Sequence, residues 1–505
     1  MGHNVEFIAP GDYIIGGLFN VHEGYVSANS IPLIDTCERA TFNTHGYHLL
    51  QALRLAIEEI NNSSSLLPNI TLGYELYDTC SASANIYGTL KIISQCSASN
   101  ITIQNNFTDY RTKAIAVVGP AKSSSSFVTS SILSMFLVPE ISYGASHKYL
   151  SDKQIYPSFL RTIPSDSLQV KLMLQLLQRF NWTWIAIVGS DDAYGSQGLQ
   201  DLYTLATGHG ICVPYHGLIP YTLNRSDIKK MVAGIQNSRV KVIVVFALAS
   251  YVNIFFEEVV DANITGCVWI GSEDWSADVQ IAQIPNLHSI GSILGVSISE
   301  IQFPELLDFE ISYVNSFKGK DTRYGCNQIC QECRAFTLQD MSTPSPFSMS
   351  FAFNVYSAVY TIAYGLHELL HCKSGQCVKD IAYPWQLLEK VKKVNFTLYN
   401  QSVSFDSNGD PSTGYGIGMW SWNEDSPIFR IIGSYNKMTG ILQLNGTLKW
   451  HTKDNSVPES FCSKPCDNGE RRVQTGFYTC CFNCFSCPEM TFLNKSCKDK
   501  IKFIF

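Results

Sequence analysis

The chain has 505 residues, of which 45% are hydrophobic and only 16% charged, with a formal net charge of −7. That length supports two or three cored domains, and the acidic balance lacks the basic footprint of a nucleic-acid-binding protein. Seventeen cysteines, with Asn-x-Ser/Thr sequons at Asn61, Asn62, Asn69, Asn100, Asn106, Asn181, Asn224, Asn263, Asn395, Asn400, Asn445 and Asn494, point to an oxidising, glycosylating route.

Taken in order, GDYIIGGLF reads as a strand, GYHLLQALRLAIEEINNS as an amphipathic helix and ITLGYELYDTC as a second strand, an opening βαβ unit. Residues 114–146 then hold two short apolar strands, each followed by a turn rich in serine. Ala116 to Val118 form a continuous apolar run, the pattern of a strand buried on both faces. Gly119 and Pro120 end it, and Ser123 to Ser126 open a helix, gathering hydroxyls and unpaired N–H groups at a helix N-terminus. Ile141 lies in the second strand, and Ser142-Tyr143-Gly144-Ala145-Ser146 is the turn expected at its end. Ligands of open parallel sheets sit outside the carboxyl ends of strands, so these turns read either as solvated loops and helix N-caps or, because two follow successive strand ends, as a seat for a carboxylate held between Ser123 and Ser146.

Further on, FLRTIPSD reads as an exit strand and SLQVKLMLQLLQRF as a helix. WIAIV reads as a parallel strand, with residues 189–195 as its terminal loop, and βα alternation continues through VKVIVVFA, YVNIFFEEVV, a strand over CVWIGSEDW, and SILGVSISE. Residues 318–346 read as a cysteine-stapled excursion, FSMSFAFNVYSAVYTIAYGLHELLHC as a long helix, and VSFDSNGDP with GMWSWN as hairpin-like strands. From Cys462 the cysteine density rises sharply, the signature of a small disulfide module. The expected fold is α/β, two doubly wound sheets plus that module. The expected division is 1–167 and 297–420 for a first lobe, 168–296 and 421–458 for a second lobe with connecting strands, and 459–505 for the module. The N-terminus lacks the apolar core of a leader, so a removed leader is expected; no uncharged apolar run is long enough to span a bilayer, so if the protein is membrane-bound its anchor is expected beyond Phe505. The nucleophile elbow, GxGxxG opening the first helix and Walker motif are all missing from the sequence, which disfavours an enzyme.

The stretches PGDYIIGGLF, HGYHLLQALRLAIEEINNSSSLLPNITLGYELYDTC, VVGPAKSSSS, YPSFLRTIPSD, NWTWIAIVGSDDAYG, ITGCVWIGSEDW, YPWQLLEKVKKVNFT and TGFYTCCFNCFSCP together resemble the ectodomains of class C G-protein-coupled receptors. Within these they look most like type 1 taste receptors of the member 1 or fish member 2 kind. The resemblance implies a bilobed Venus flytrap of the periplasmic-binding-protein type that closes on an L-amino acid, followed by a truncated cysteine-rich module. It implies a plasma-membrane receptor, with this part outside the cell, that pairs with a member 3 subunit and signals through a G protein. No cofactor is implied, though structural chloride, sodium or calcium ions are compatible with it. The runner-up reading is a pheromone-type or cation-sensing class C receptor.

Carried over residue by residue, the resemblance puts the ligand carboxylate on Ser123 and the Ser146 N–H. It puts the ammonium on the Gly144 carbonyl, the Ser146 hydroxyl and Glu273, with Asp166 on the hinge side and the Tyr194 ring facing the ammonium. Read alone, Asp166 is a helix N-cap and Tyr194 a structural loop aromatic. Side-chain selectivity is expected from His45, Leu49, Asp274 and Phe351. Lys122 beside Ser123 departs from the family's small or acidic residues. The implied disulfides are Cys37 with Cys80, Cys212 with Cys480, Cys372 with Cys377, Cys462 with Cys481, and Cys466 with Cys484; Cys326 is a candidate for a bond to a partner, and the pairing of the other cysteines stays open.

Overall fold

The computed structural model describes residues 7–23, 37, 40–94, 110–298, 301, 303–316, 346–373, 375–423, 426–487, 491–493 and 501–503. Cys96, Cys326, Cys330, Cys333, Cys497, Asn100, Asn106, Asn494 and the excursion over 318–345 lie outside the described residues.

Two compact units form, Met1–Asp166 with Ile298–Gly414, and Ser167–Ser297 with Tyr415–Phe505. The first is built on a six-stranded sheet in the order Ile8–Ala9, Leu72–Asp78, Tyr13–Phe19, Ala116–Val118, Glu140–Ser142, Phe159–Arg161. All pairs are parallel except the first. The strand period of two explains why Ala116–Val118 is wholly apolar. Ala116 and Val118 face the larger core with Ile15, Leu76, Leu53 and Val355, while Val117 turns to the opposite layer with Leu18, Tyr77, Ile92 and Leu133. The helices Thr44–Asn61 and Pro346–Leu369 cover one face, and Ala82–Ile93 and Ser123–Met135 the other. The sheet is therefore doubly wound, with Gly119 and Tyr143 leaving adjacent parallel strands side by side. Only glycine fits at 119, where φ is +92° and an added Cβ would lie 2.3 Å from the Leu18 carbonyl oxygen.

The second unit carries eight strands in the order Cys212–Ile219, Trp184–Ser190, Val242–Phe246, Cys267–Gly271, Gly291–Ser297, Tyr415–Asn423, Ser426–Asn436, Ile441–Leu444. The first five are parallel and the last three antiparallel. Trp269, Phe255, Phe256 and Trp275 fill its core with edge-on ring contacts.

The structure corrects three expectations. Residues 415–420 belong with the second unit, because Tyr415–Asn423 is hydrogen-bonded between Gly291–Ser297 and Ser426–Asn436. The strand over CVWIGSEDW stops at Gly271, since the Ser276 N–H turns back to the Ser272 carbonyl at 3.1 Å. Residues 189–195 are not all loop: the strand runs through Ser190 and a helix starts at Ala193, where Asp192 Oδ1 accepts from the N–H groups of Tyr194 and Gly195.

Among the described residues five disulfides join Cys37–Cys80, Cys212–Cys480, Cys372–Cys377, Cys462–Cys481 and Cys466–Cys484. The last two staple a hairpin of Glu470–Gln474 with Phe482–Ser486, whose surface is too exposed to supply a core of its own. Among the described cysteines, Cys267 and Cys487 carry no disulfide.

Candidate functional site

In the first unit, Ser123 is the first residue of the Ser123–Met135 helix and Ser146 closes the turn after Glu140–Ser142. Both are buried, at 6% and 1% exposure. The Ser142 hydroxyl knits the two turns together: it donates to the Pro120 carbonyl at 2.7 Å and accepts from the Ala145 N–H at 2.9 Å. The Ser123 hydroxyl accepts from the His147 N–H at 3.3 Å. No side chain caps the start of this helix, and among the described residues the N–H groups of Ser123, Ser124 and Ser125 have no protein acceptor within hydrogen-bond distance. Such a terminus favours an anion.

Arg161 holds the second turn from below. Its fully buried guanidinium donates from Nη1 to the carbonyls of Ala145 at 3.1 Å and His147 at 3.0 Å, and from Nε to Asp410 at 2.7 Å. The Ser146 carbonyl accepts from the Asp166 N–H at 2.9 Å. With the carbonyls of 145, 146 and 147 all engaged away from the turn, the Ser146 N–H and hydroxyl and the Gly144 carbonyl are left without a hydrogen bond among the described residues. Gly144 sits in the same turn, against the Ala121 backbone. Asp166 is buried and is the first residue of the Asp166–Arg179 helix, inside it and not a cap before it.

The selectivity candidates of this unit are brought together. His45 donates or accepts through Nδ1 with the Ser348 hydroxyl at 3.0 Å, and its ring stands edge-on to Phe351 at 5.6 Å. Burial, aided by the neighbouring His48, pushes the His45 imidazole down to about 4, against a small upward pull from Glu23. It is therefore neutral at pH 7. Leu49 and Phe351 belong to the core of this unit, at 3% and 6% exposure. Lys122 reaches Glu23 at 3.3 Å with both side chains largely in solvent.

In the second unit, Glu273 is 3% exposed. Its Oε2 accepts from the Tyr194 hydroxyl at 2.7 Å, and its N–H donates to Gln169 Oε1 at 3.1 Å. Tyr194 is 5% exposed in the first turn of its helix, with its ring 4.8 Å from Phe246. Asp274 faces the other way: its Oδ2 accepts from the Ala249 N–H at 2.8 Å, at the start of the Ala249–Asp261 helix. Ser142, Arg161 and Asp410 were not singled out from the sequence; the one signal for Arg161 was a charged residue at the end of a short apolar strand.

Among the described residues three clusters bring cysteine close to histidine or acid, at His367, at Asp78 and at Glu470. In each the two sulfurs are already bonded to one another, so they offer no thiolate to a metal. The sequon asparagines within the described residues are all exposed.

The family described as receptor family ligand binding region matches residues 48–423. The chain belongs to this family. The matched region is a ligand-binding one, and the resemblance to class C taste receptors is supported by individual relatives. Taste receptor type 1 member 1 of Homo sapiens is 45% identical over 97% of this chain and 60% of its own length. The same-named protein of Mus musculus is 44% identical over 97% and 59%, and taste receptor type 1 member 2 of Cebuella pygmaea is 37% identical over 98% and 60%. This ligand-binding chain thus spans about 60% of the length of the curated relatives it matches. Among its described residues no helix is long and apolar enough to cross a membrane.

Proposed function

We propose that the chain is the extracellular ligand-binding part of a taste receptor, that it senses L-amino acids by closing on them, and that the whole receptor signals through a G protein at the plasma membrane as a heterodimer with a member 3 subunit. The observation that carries the amino-acid reading is the pair of turns tied by Ser142. An uncapped helix N-terminus and the hydroxyl-bearing turn of Ser146 supply N–H and O–H donors suited to a carboxylate, with no cation needed. The second unit carries, in Glu273, a buried acid of the chemistry an ammonium requires. Similarity to taste receptors supports the receptor reading. Carbohydrate on the exposed sequons belongs to the same proposal.

Calorimetric titration of the 505-residue chain with the common L-amino acids tests it. At least one should bind saturably, and Ser123→Ala combined with Ser146→Ala should remove that binding while leaving the melting temperature within a few degrees. Unchanged affinity in the double variant rejects the site.

A further inference from the structure

The loop that leaves the Ser146 turn wraps two cations with its carbonyl groups. Arg161 Nη1 takes those of Ala145 at 3.1 Å and His147 at 3.0 Å. Lys153, half-buried, donates from Nζ to those of Phe159 at 2.6 Å, Leu150 at 3.3 Å and Tyr156 at 3.5 Å. Gly409 closes on the same ammonium, since a Cβ there would stand 3.1 Å from Nζ. One carboxylate faces the two cations: Asp410 accepts from Arg161 Nε at 2.7 Å and from the Ser151 hydroxyl at 3.0 Å on each oxygen. The other titratable groups around Lys153 are Glu140, on the Glu140–Ser142 strand, and Lys392, which ends the Pro384–Val391 helix. Burial holds the fully inaccessible Glu140 carboxyl well above the usual carboxylate range, against weaker pulls from Ser130 and Lys153, and so favours its neutral form. Positive charge therefore exceeds negative in this cluster.

Carbonyls aimed at buried cations fix where the opposite ends of their peptides point. Across the trans Ala145–Ser146 peptide the C=O and N–H are antiparallel, so the bond from Arg161 to the Ala145 carbonyl turns the Ser146 N–H away from the cations. Buried charge in excess calls for a counter-charge. We propose that Lys153 is a positioning residue of the amino-acid site, a role that rests on the amino-acid reading of the serine turns: with Arg161 it polarises the loop's peptide groups from below, and the ligand carboxylate on the outward Ser146 N–H is the counter-charge the cluster lacks. Lys153 acts through these peptide groups and not by contact. Burial lowers the lysine to about 8, with Arg161 and Lys392 adding to the effect and Asp410 and Glu140 opposing it. Carboxylate binding and protonation of Lys153 favour one another, so affinity falls as pH rises through about 8.

The probe is L-alanine, whose uncharged side chain leaves only the backbone charges to be recognised, titrated calorimetrically into the full chain on both sides of that pH. The parent should lose about two- to fivefold in affinity across the step, the effect of one charge acting over several ångströms of protein. Lys153→Arg, which stays charged throughout, should bind like the parent at neutral pH and show no step. Lys153→Met should bind about two- to fivefold more weakly at neutral pH, again with no step. The ammonium of L-alanine titrates alike in all three and cancels in the comparison, and circular dichroism checks folding. A flat profile in the parent, an equal step in Lys153→Arg, or parent-like affinity of Lys153→Met at neutral pH each overturns the role while leaving the amino-acid site standing. Absence of L-alanine binding to the parent also overturns it, and the wider amino-acid titration then decides the site separately. Should Lys153→Arg not fold, the parent's profile and Lys153→Met decide.

Discussion

Arg161 and Asp410, 249 residues apart in sequence, meet in the interior of the first unit with Nε 2.7 Å from Oδ1. The arginine is fully buried and spends its other donors on Ser151 and on the carbonyls of Ala145 and His147. The pair therefore couples the late Phe405–Pro411 segment to the turn that presents Ser146. Asp410→Ala should cost about 3–5 kcal/mol, since it strands a buried guanidinium. The expected fall in melting temperature is about 10 °C, read by differential scanning fluorimetry. Replacing both partners, as Arg161→Met with Asp410→Leu, should cost less than Asp410→Ala alone; an equal or larger loss would mean that the carbonyl anchors, and not the charge pair, dominate.

The Tyr194 hydroxyl donates to a nearly inaccessible Glu273 carboxylate. A hydrogen bond to a charged group is worth about 1.5–3 kcal/mol. If Glu273 serves the ligand ammonium, Tyr194→Phe should lower amino-acid affinity about tenfold or more by calorimetry, while removing no packing volume against Phe246. A variant that binds as tightly as the parent would remove Tyr194 from the proposed site.

Most strands of the two sheets were legible because each is a simple signal: three residues of apolar run at 116–118, a heptad-like stripe in Thr44–Asn61, aromatic and β-branched runs in the second unit. The strands Ile8–Ala9, Cys212–Ile219, Ser426–Asn436 and Ile441–Leu444 and the helices Ala82–Ile93 and Ala193–Gly208 were not read. The serine turns stood out because polar small residues follow two successive strand ends. What the sequence hid was long-range. Asp410 is far from Arg161 in the chain, so nothing local announces that a strand-end arginine will be buried and paired. The seam at Gly414 was hidden for the same reason: Tyr415–Asn423 alternates like any strand, and its choice of sheet is set by partners over a hundred residues earlier. GSEDW misled because glycine and tryptophan continue a strand pattern that the Ser272 turn then breaks.

His45 gives a pH signature with a definite sign. Burial and the nearby His48 hold its folded-state value at about 4, below the ordinary value of 6.5, with Glu23 opposing weakly. Between those two values the unfolded chain binds a proton that the folded one does not, so this residue's contribution to stability is intact above pH 6.5 and is lost as pH falls from 6.5 through about 4. His45→Gln should flatten the part of the melting temperature against pH curve that spans this window. Parallel curves for the parent and the variant would show that the imidazole titrates normally.

Cys212 and Cys480 close a loop with a sequence separation of 268, the longest among the described disulfides. Cys212 begins an edge strand of the second unit's sheet, and Cys480 adjoins the stapled hairpin. The hairpin has two disulfides of its own, while the bond to Cys212, the ring of Tyr478 against Trp184 and the Ser460 backbone contacts tie this segment to the sheet. Chain-entropy reasoning gives a closed loop of this size up to about 5 kcal/mol. Cys212→Ser with Cys480→Ser should therefore lower the melting temperature and, more specifically, open residues 460–487 to limited proteolysis while leaving the Cys372–Cys377 ring oxidised. Mass spectrometry of the digest reads both. Cleavage spread evenly over the second unit, without preference for that segment, would show that the bond stabilises the sheet as a whole and not the attachment of the hairpin.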